Sequence, residues 1–182
     1  MKRLLFTKLL FLALSTVHLA WADTASNWNK ASDLSTASLA MLAGGLTLLN
    51  SDTDGAKQLI YSTVTSVGAA EILKNSVREQ RPDKSDNKSF PSAHTTLAFS
   101  AAAFVDQRYG DSYGSLAPAM YGLAGLTGLA RVQSKSHHFG DVLAGGVIGY
   151  GSSKFFTTPI QGGRVSLAPI PRGVAIAWVK PM

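Results

Sequence analysis

The segment RVQSKSHHFGD, Arg131 to Asp141, sets an arginine, two adjacent histidines and a carboxylate within eleven residues, just after a long apolar run. His137 and Asp141 are four apart. On a helix that spacing puts them on one face, with the carboxylate able to accept the imidazole N–H. Histidine near aspartate is common in ordinary structure, so the pair acquires meaning only from its surroundings.

Outward from this stretch the pattern is helical. Upstream, Ser115 to Val132 reads as a helix with Pro118 tolerated in its first turn. Downstream, a helix starts at His137 and runs to Phe156. Earlier helices are expected from Leu34 to Asn50 and from Asp54 to Gln80, the second ending because Pro82 disfavours helical geometry at Arg81. A polar loop, PDKSDNKSFP, joins it to a helix from Ser92 to Tyr109. Alanine and glycine fill both faces throughout, which loosens the helical period and lets helices approach closely, in a soluble bundle or among lipids. Past Pro159 the period changes to two: Val174, Ile176 and Trp178 alternate with smaller residues. Arg164–Ala168 and Val174–Val179 therefore read as a β-hairpin packed on the bundle. The expected fold class is all-α, a bundle of about five helices after a signal peptide, with a small C-terminal β-hairpin. The expected divisions are a signal peptide (1–22), a mobile polar lead-in (23–33), one helical domain (34–157) and its hairpin tail (158–182).

The start of the chain supports that division. Lys2, Arg3 and Lys8 precede or interrupt an apolar stretch that ends in Ala20-Trp21-Ala22, the small-x-small pattern of a secretory cleavage site. An uncleaved membrane anchor is the alternative. Removal after Ala22 takes three cations and no acid, so the net charge falls from +6 to +3. The excess of base thus belongs partly to the targeting segment and argues for no nucleic-acid partner; what remains suits an anionic substrate or a membrane surface. Cysteine is absent, which removes disulfides, cysteine-ligated zinc and thiol catalysis. Cleavage also removes His18 and leaves His94, His137 and His138, each in or beside a motif.

Three clusters carry the chemistry. Lys74 and Arg81 are seven apart, nearly two helical turns, so both cations fall on one helix face. Ile60 and Val67 belong to the same series, which places Lys74 among residues expected to be buried, where a cation needs a partner. Otherwise such a lysine is a solvated or snorkelling side chain. Pro91-Ser92-Ala93-His94 joins a polar loop to an apolar helix. Ser92 suits the N-cap, and the free N–H groups of the first turn form an anion site; taken alone, a capping serine near a histidine is usually structural. Arg131 adds a planar fork able to grip two phosphate oxygens. Together the clusters hold three permanent cations, one helix N-terminus and two histidines, one of them backed by a carboxylate. That set meets the needs of phosphoryl transfer without a metal: cations neutralise the equatorial oxygens, one imidazole attacks and the other protonates the leaving oxygen.

These residues resemble the tripartite signature of the type 2 phosphatidic acid phosphatase (PAP2) superfamily, which also contains class A acid phosphatases and vanadium haloperoxidases. Lys74 with Arg81-Pro82, Pro91-Ser92-Ala93-His94, and Ala130-Arg131 with His137 and Asp141 match in order and in internal spacing, over about Lys74 to Ala144. Ala93 stands where the pattern has glycine and Ala130 where it has serine. The resemblance implies that His137 is the nucleophile and forms a phosphohistidine, and that Asp141 holds its other ring nitrogen. It implies that His94 protonates the departing alkoxide and then activates water. Lys74, Arg81 and Arg131 would bind phosphate oxygens, helped by Ser92 and the N–H of Ala93. His138 has no role in the signature. No cofactor is implied.

The expected function is an exported phosphatase acting on phosphomonoesters or lipid phosphates. The alternatives are a vanadium haloperoxidase, a metal site made of His94, His137 and Asp141, and a non-catalytic, membrane-associated anion-binding protein with a decayed site. The expected location is periplasmic, soluble or membrane-associated, with an integral inner-membrane bundle as the alternative, because no run past the signal reaches about 20 uninterrupted apolar residues. The sequence identifies neither the particular phosphate ester nor the oligomeric state.

Overall fold

The computed structural model describes residues 25–114 and 116–160, together with the backbone of 164–170 and 173–179. The expected signal peptide lies outside the described residues. Five helices follow in order among those described: α1 (Ala25–Leu49), α2 (Thr53–Val77), α3 (Ala93–Tyr113), α4 (Leu116–Gln133) and α5 (Phe139–Phe156). Beyond them β1 (Arg164–Ile170) and β2 (Gly173–Val179) pair antiparallel, with Leu167 opposite Ile176. The strand side chains, and with them the expected packing of a hairpin on the bundle, lie outside the described residues.

α3 runs through the centre and touches α1, α2, α4 and α5. Its sequence explains the position: Ala98, Ala101, Ala102 and Ala103 are all buried, so small residues let neighbours close in on several sides. Leu39, Leu42 and Leu46 of α1 and Met120 and Leu123 of α4 meet Phe104 and Val105 in one apolar core. On the opposite flank α5 approaches almost backbone to backbone. A methyl on Gly145 would come within 2.6 Å of the Ser92 carbonyl oxygen, and one on Gly149 would overlap the carbonyl of Thr96.

Four boundaries differ from the sequence reading, each with a local cause. Residues 25–33 are not a mobile lead-in but the first turns of α1, where polar side chains find partners across the bundle. α2 stops at Val77 because Arg78 takes the left-handed conformation, φ 52°, and returns its N–H to the carbonyl of Lys74. Arg81 therefore lies in the following loop and shares no helix face with Lys74. α5 begins at Phe139 with His138 as N-cap, so His137 precedes the helix instead of opening it. The carboxylate of Asp141 accepts the backbone N–H of His138 at 2.8 Å, which fixes that start. α3 runs four residues past Tyr109 to Tyr113. Its beginning follows the expected pattern, with Ser92 as N-cap accepting from the N–H of Thr95.

The start of α2, about 33 Å along the helix from Lys74, is tied by a buried ion pair. Asp52 caps α2 through the N–H of Gly55 and accepts from Arg108 at 2.6 and 2.8 Å and from the hydroxyl of Tyr109 at 2.8 Å. Arg108 also donates to the carbonyls of Thr158 and Pro159, which fastens the chain after α5 to the bundle.

Candidate active site

The polar end of the bundle is built from the close of α2, the loop 78–92, the start of α3, the close of α4 and the turn before α5. Two connections interlock. The N–H of Asp83 bonds the carbonyl of Lys135, and the N–H of Ser92 bonds the carbonyl of Asp141. Residues far apart in sequence are thereby locked into one cluster.

Lys74 and Arg131 are 6% and 8% exposed, yet neither forms an ion pair with a carboxylate among the described residues. Lys74 Nζ donates to the carbonyls of Pro91 at 2.5 Å and Lys88 at 3.3 Å. Arg131 Nη1 donates to Asn29 Oδ1 at 2.8 Å and to Ser32 Oγ at 3.2 Å, while its buried Nε–H has no acceptor. Buried cations without acids, one of them with an idle donor, form a place for an anion. Arg81 approaches from the loop, with Nε on Asp86 at 2.7 Å and Nη1 on the carbonyl of Ser136 at 3.1 Å.

His137 is buried against this charge. Its Nδ1 lies 2.7 Å from the carbonyl oxygen of Ser89, and Asp141 Oδ2 is 3.6 Å away. The expected Asp141 contact on that nitrogen is thus taken by a backbone carbonyl. Asp141 itself accepts from Ser89 Oγ at 2.5 Å and from the N–H of His138, so it braces the loop that carries the acceptor. Burial and then Arg131, Arg81 and Lys74 push the His137 imidazole down to about 3. It is neutral at ordinary pH, with the proton on Nδ1 and the lone pair on Nε2.

His94, in the first turn of α3, is placed so that Arg131 and Lys74 both act on it. Its Nε2 lies 2.8 Å from Asp33 Oδ1 of α1. Ser92 is fully buried, with its hydroxyl engaged by Thr95, and Ala93 is half-buried as the first residue of α3. His138 faces outward, with Nε2 at 3.0 Å from the carbonyl of Gln80. Among the described residues no group of three His, Asp or Glu side chains is placed to share a metal ion, since His94 turns to Asp33 and Asp141 to Ser89 and His138.

Sequence reasoning missed Asn29, Ser32 and Asp33, which reach the site from α1, and Ser89, Asp86 and Ser136 from the loops. The spacing of the first three, i, i+3 and i+4, was the available signal for one polar face.

Residues 55–162 match the sequence profile of the PAP2 superfamily. The chain is 36% identical over 82 residues to a lipid A 1-phosphatase of Porphyromonas gingivalis, a match covering 45% of this chain and 18% of that protein. The match thus spans just under a fifth of that curated relative. The fold is similar to that of the crystal structure of Aquifex aeolicus LpxE, with a TM-score of 0.52 and 23% identity, over 66% of this chain and 81% of that one. A transmembrane PAP2-type phosphatidylglycerolphosphate phosphatase of Bacillus subtilis aligns over 84% of this chain and 93% of its own, with 23% identity and a TM-score of 0.40.

Proposed function

Because the chain belongs to the PAP2 superfamily, we propose that it is a metal-independent phosphatase acting on lipid phosphates through a phosphohistidine on His137. The observation that carries this reading is the pair of buried cations without acid partners, Lys74 and Arg131, beside a neutral buried imidazole. With Arg81 they would hold a phosphate. Nε2 of His137 attacks phosphorus, and as the P–N bond forms the bond to the leaving oxygen breaks. His94 gives that oxygen its proton, so the products are an alcohol and phosphohistidine. Water, losing a proton to His94, then attacks phosphorus; the P–N bond breaks, inorganic phosphate leaves and His137 is restored. Ser89 keeps the His137 tautomer, and three permanent cations supply the charge stabilisation that a metal gives elsewhere.

The outer surface supports a lipid substrate. On α5 the buried residues are Asp141, Gly145, Gly149 and Ser153, while Phe139, Leu143, Val147 and Phe155 face outward, Val147 at 73% and Phe155 at 82% exposed. Small and polar inside with large and apolar outside reverses the soluble pattern and suits helices packed among lipids. Residues 34–51, 58–70, 95–105, 116–130 and 142–153 carry no charge, one stretch per helix, each about 16–27 Å long. This supports an integral bundle with the site at one membrane face, the alternative of the sequence reading, over a soluble domain. Of the described helices only Ala25–Leu49 is by itself long and apolar enough to cross a membrane, and half of its apolar window is buried.

The test uses purified full-length protein and mixed micelles of phosphatidic acid or lipid A, with chelator present. Wild type is expected to release phosphate, and a reaction on substrate radiolabelled in its phosphate, quenched with alkaline detergent, to leave label on the protein that survives alkali and is lost in acid. His137→Ala should do neither. Phosphate release by wild type no greater than the background seen with His137→Ala would favour the non-catalytic anion-binding alternative.

A further inference from the structure

Asn29, Ser32 and Asp33 form one face of the first turns of α1, outside the segment that matches the family profile. Asn29 and Ser32 hold Arg131, and Asp33 Oδ1 meets His94 Nε2 at 2.8 Å. We propose that Asp33 is a positioning residue for His94, holding its ring through Nε2 so that Nδ1 is presented, protonated, to the leaving oxygen. The inference rests on the acid–base role given to His94 above.

The charged groups that act on His94 come from three helices: Asp33 of α1, Lys74 of α2 and Arg131 of α4. Burial, and after it both cations, oppose its protonation, and Asp33 is the one carboxylate among the three that favours it. The arrangement has triad logic: an acid that takes no proton itself fixes the tautomer and steadies the imidazolium.

Asp33→Asn keeps size and leaves the carboxylate's charge out. The side chain is 61% exposed, so folding should survive, to be checked by thermal unfolding. The expected result is an alkaline limb of kcat shifted to lower pH by about one pH unit, with kcat near pH 7.5 down roughly ten-fold, KM for the lipid phosphate nearly unchanged, and most of the loss restored by Asp33→Glu. His94, followed directly by NMR in the free protein, should titrate at lower pH in Asp33→Asn than in wild type. Unchanged titration and an unchanged kcat profile, with His94→Ala inactive, would overturn the positioning role and leave the phosphatase reading standing. Wild-type turnover by His94→Ala would overturn both.

Discussion

Nδ1 of His137 sits 2.7 Å from the carbonyl oxygen of Ser89, nearer than the carboxylate of Asp141. A carbonyl only accepts, so the proton stays on Nδ1 and Nε2 is left as the nucleophilic lone pair. Burial and three nearby cations, Arg131, Arg81 and Lys74, hold the ring neutral well below the ordinary histidine value. A lowered pKa means that the reactive neutral form persists as pH falls. We therefore expect kcat/KM, corrected for the ionisation of the substrate phosphate, to hold as pH is lowered from 6.5 to about 5. An acid limb centred near 6.5 would contradict it.

Asp141 is a brace before it is a partner. Its Oδ2 takes both the hydroxyl of Ser89 and the N–H of His138, so it fixes the acceptor of His137 and the start of α5 together. Asp141→Ala should lower unfolding stability by about 3 kcal/mol, since two donors to a buried charge lose their acceptor, and activity should fall with it. Asp141→Asn keeps an acceptor oxygen and should be milder on both counts. Full stability with abolished activity in Asp141→Asn would instead make the carboxylate's charge a direct partner of the imidazolium.

Lys74 is held at the end of α2 by hydrogen bonds to carbonyl oxygens, and among the described residues no carboxylate pairs with it directly. Such a group is kept at the expense of stability. Lys74→Met should raise the melting temperature in buffer without phosphate. In the same variant the stabilisation that wild type gains from added phosphate or vanadate should vanish, together with turnover. A lower melting temperature would show that the ammonium is structural.

The Asp52–Arg108 pair provides a control remote from the chemistry. Arg108 first, then the Gly55 N–H and the Tyr109 hydroxyl, outweigh desolvation and hold the Asp52 carboxyl down at about 2 from 3.8. A lowered carboxyl pKa contributes stability that is complete above 3.8 and lost as pH falls toward 2, worth roughly 2 kcal/mol. Asp52→Asn should remove that acid-sensitive share and lower the melting temperature, while kcat at neutral pH stays at the wild-type value. Loss of turnover in a folded variant would mean that the two ends of the bundle are coupled.

Much of the site was legible because its chemistry is written in local motifs. Ser92 announces a helix start by its own capping, Lys74 stands at a fixed spacing from Arg81-Pro82, and Arg131 at a fixed spacing from His137 and Asp141. The rest depended on contacts between segments. Nothing near Asn29 or Asp33 in sequence says that Arg131 and His94 lie beside them, so the polar start of α1 reads as a mobile lead-in. Backbone geometry was equally hidden: Arg78 turns left-handed and carries Arg81 off the helix, and a seven-residue spacing cannot reveal that. The hydrophobic period failed for a different reason. It assumes that apolar residues face inward, whereas Ile60, one of the two residues used to place Lys74 on a buried stripe, is 59% exposed.

α2 states the membrane question most sharply. Ser62, Ser66, Ala70 and Lys74 face the bundle, while Ile60, Val64 and Ile72 face out. In water a lysine at Val64 is a surface change and should move stability by no more than about 0.5 kcal/mol. In a bilayer the same charge near the middle of a helix is opposed by about 2.5–3.5 kcal/mol. Val64→Lys should therefore reduce the amount of chain recovered in membranes, and carbonate washing should leave the wild-type protein in the pellet. Because Val64 is remote from Lys74 and His137, the variant protein that does insert should keep wild-type turnover per molecule, which separates a lipid-facing role from damage to the site. Release of wild type by carbonate, with Val64→Lys behaving identically, would return the bundle to the soluble periplasmic side and leave its apolar exterior to be covered by another surface.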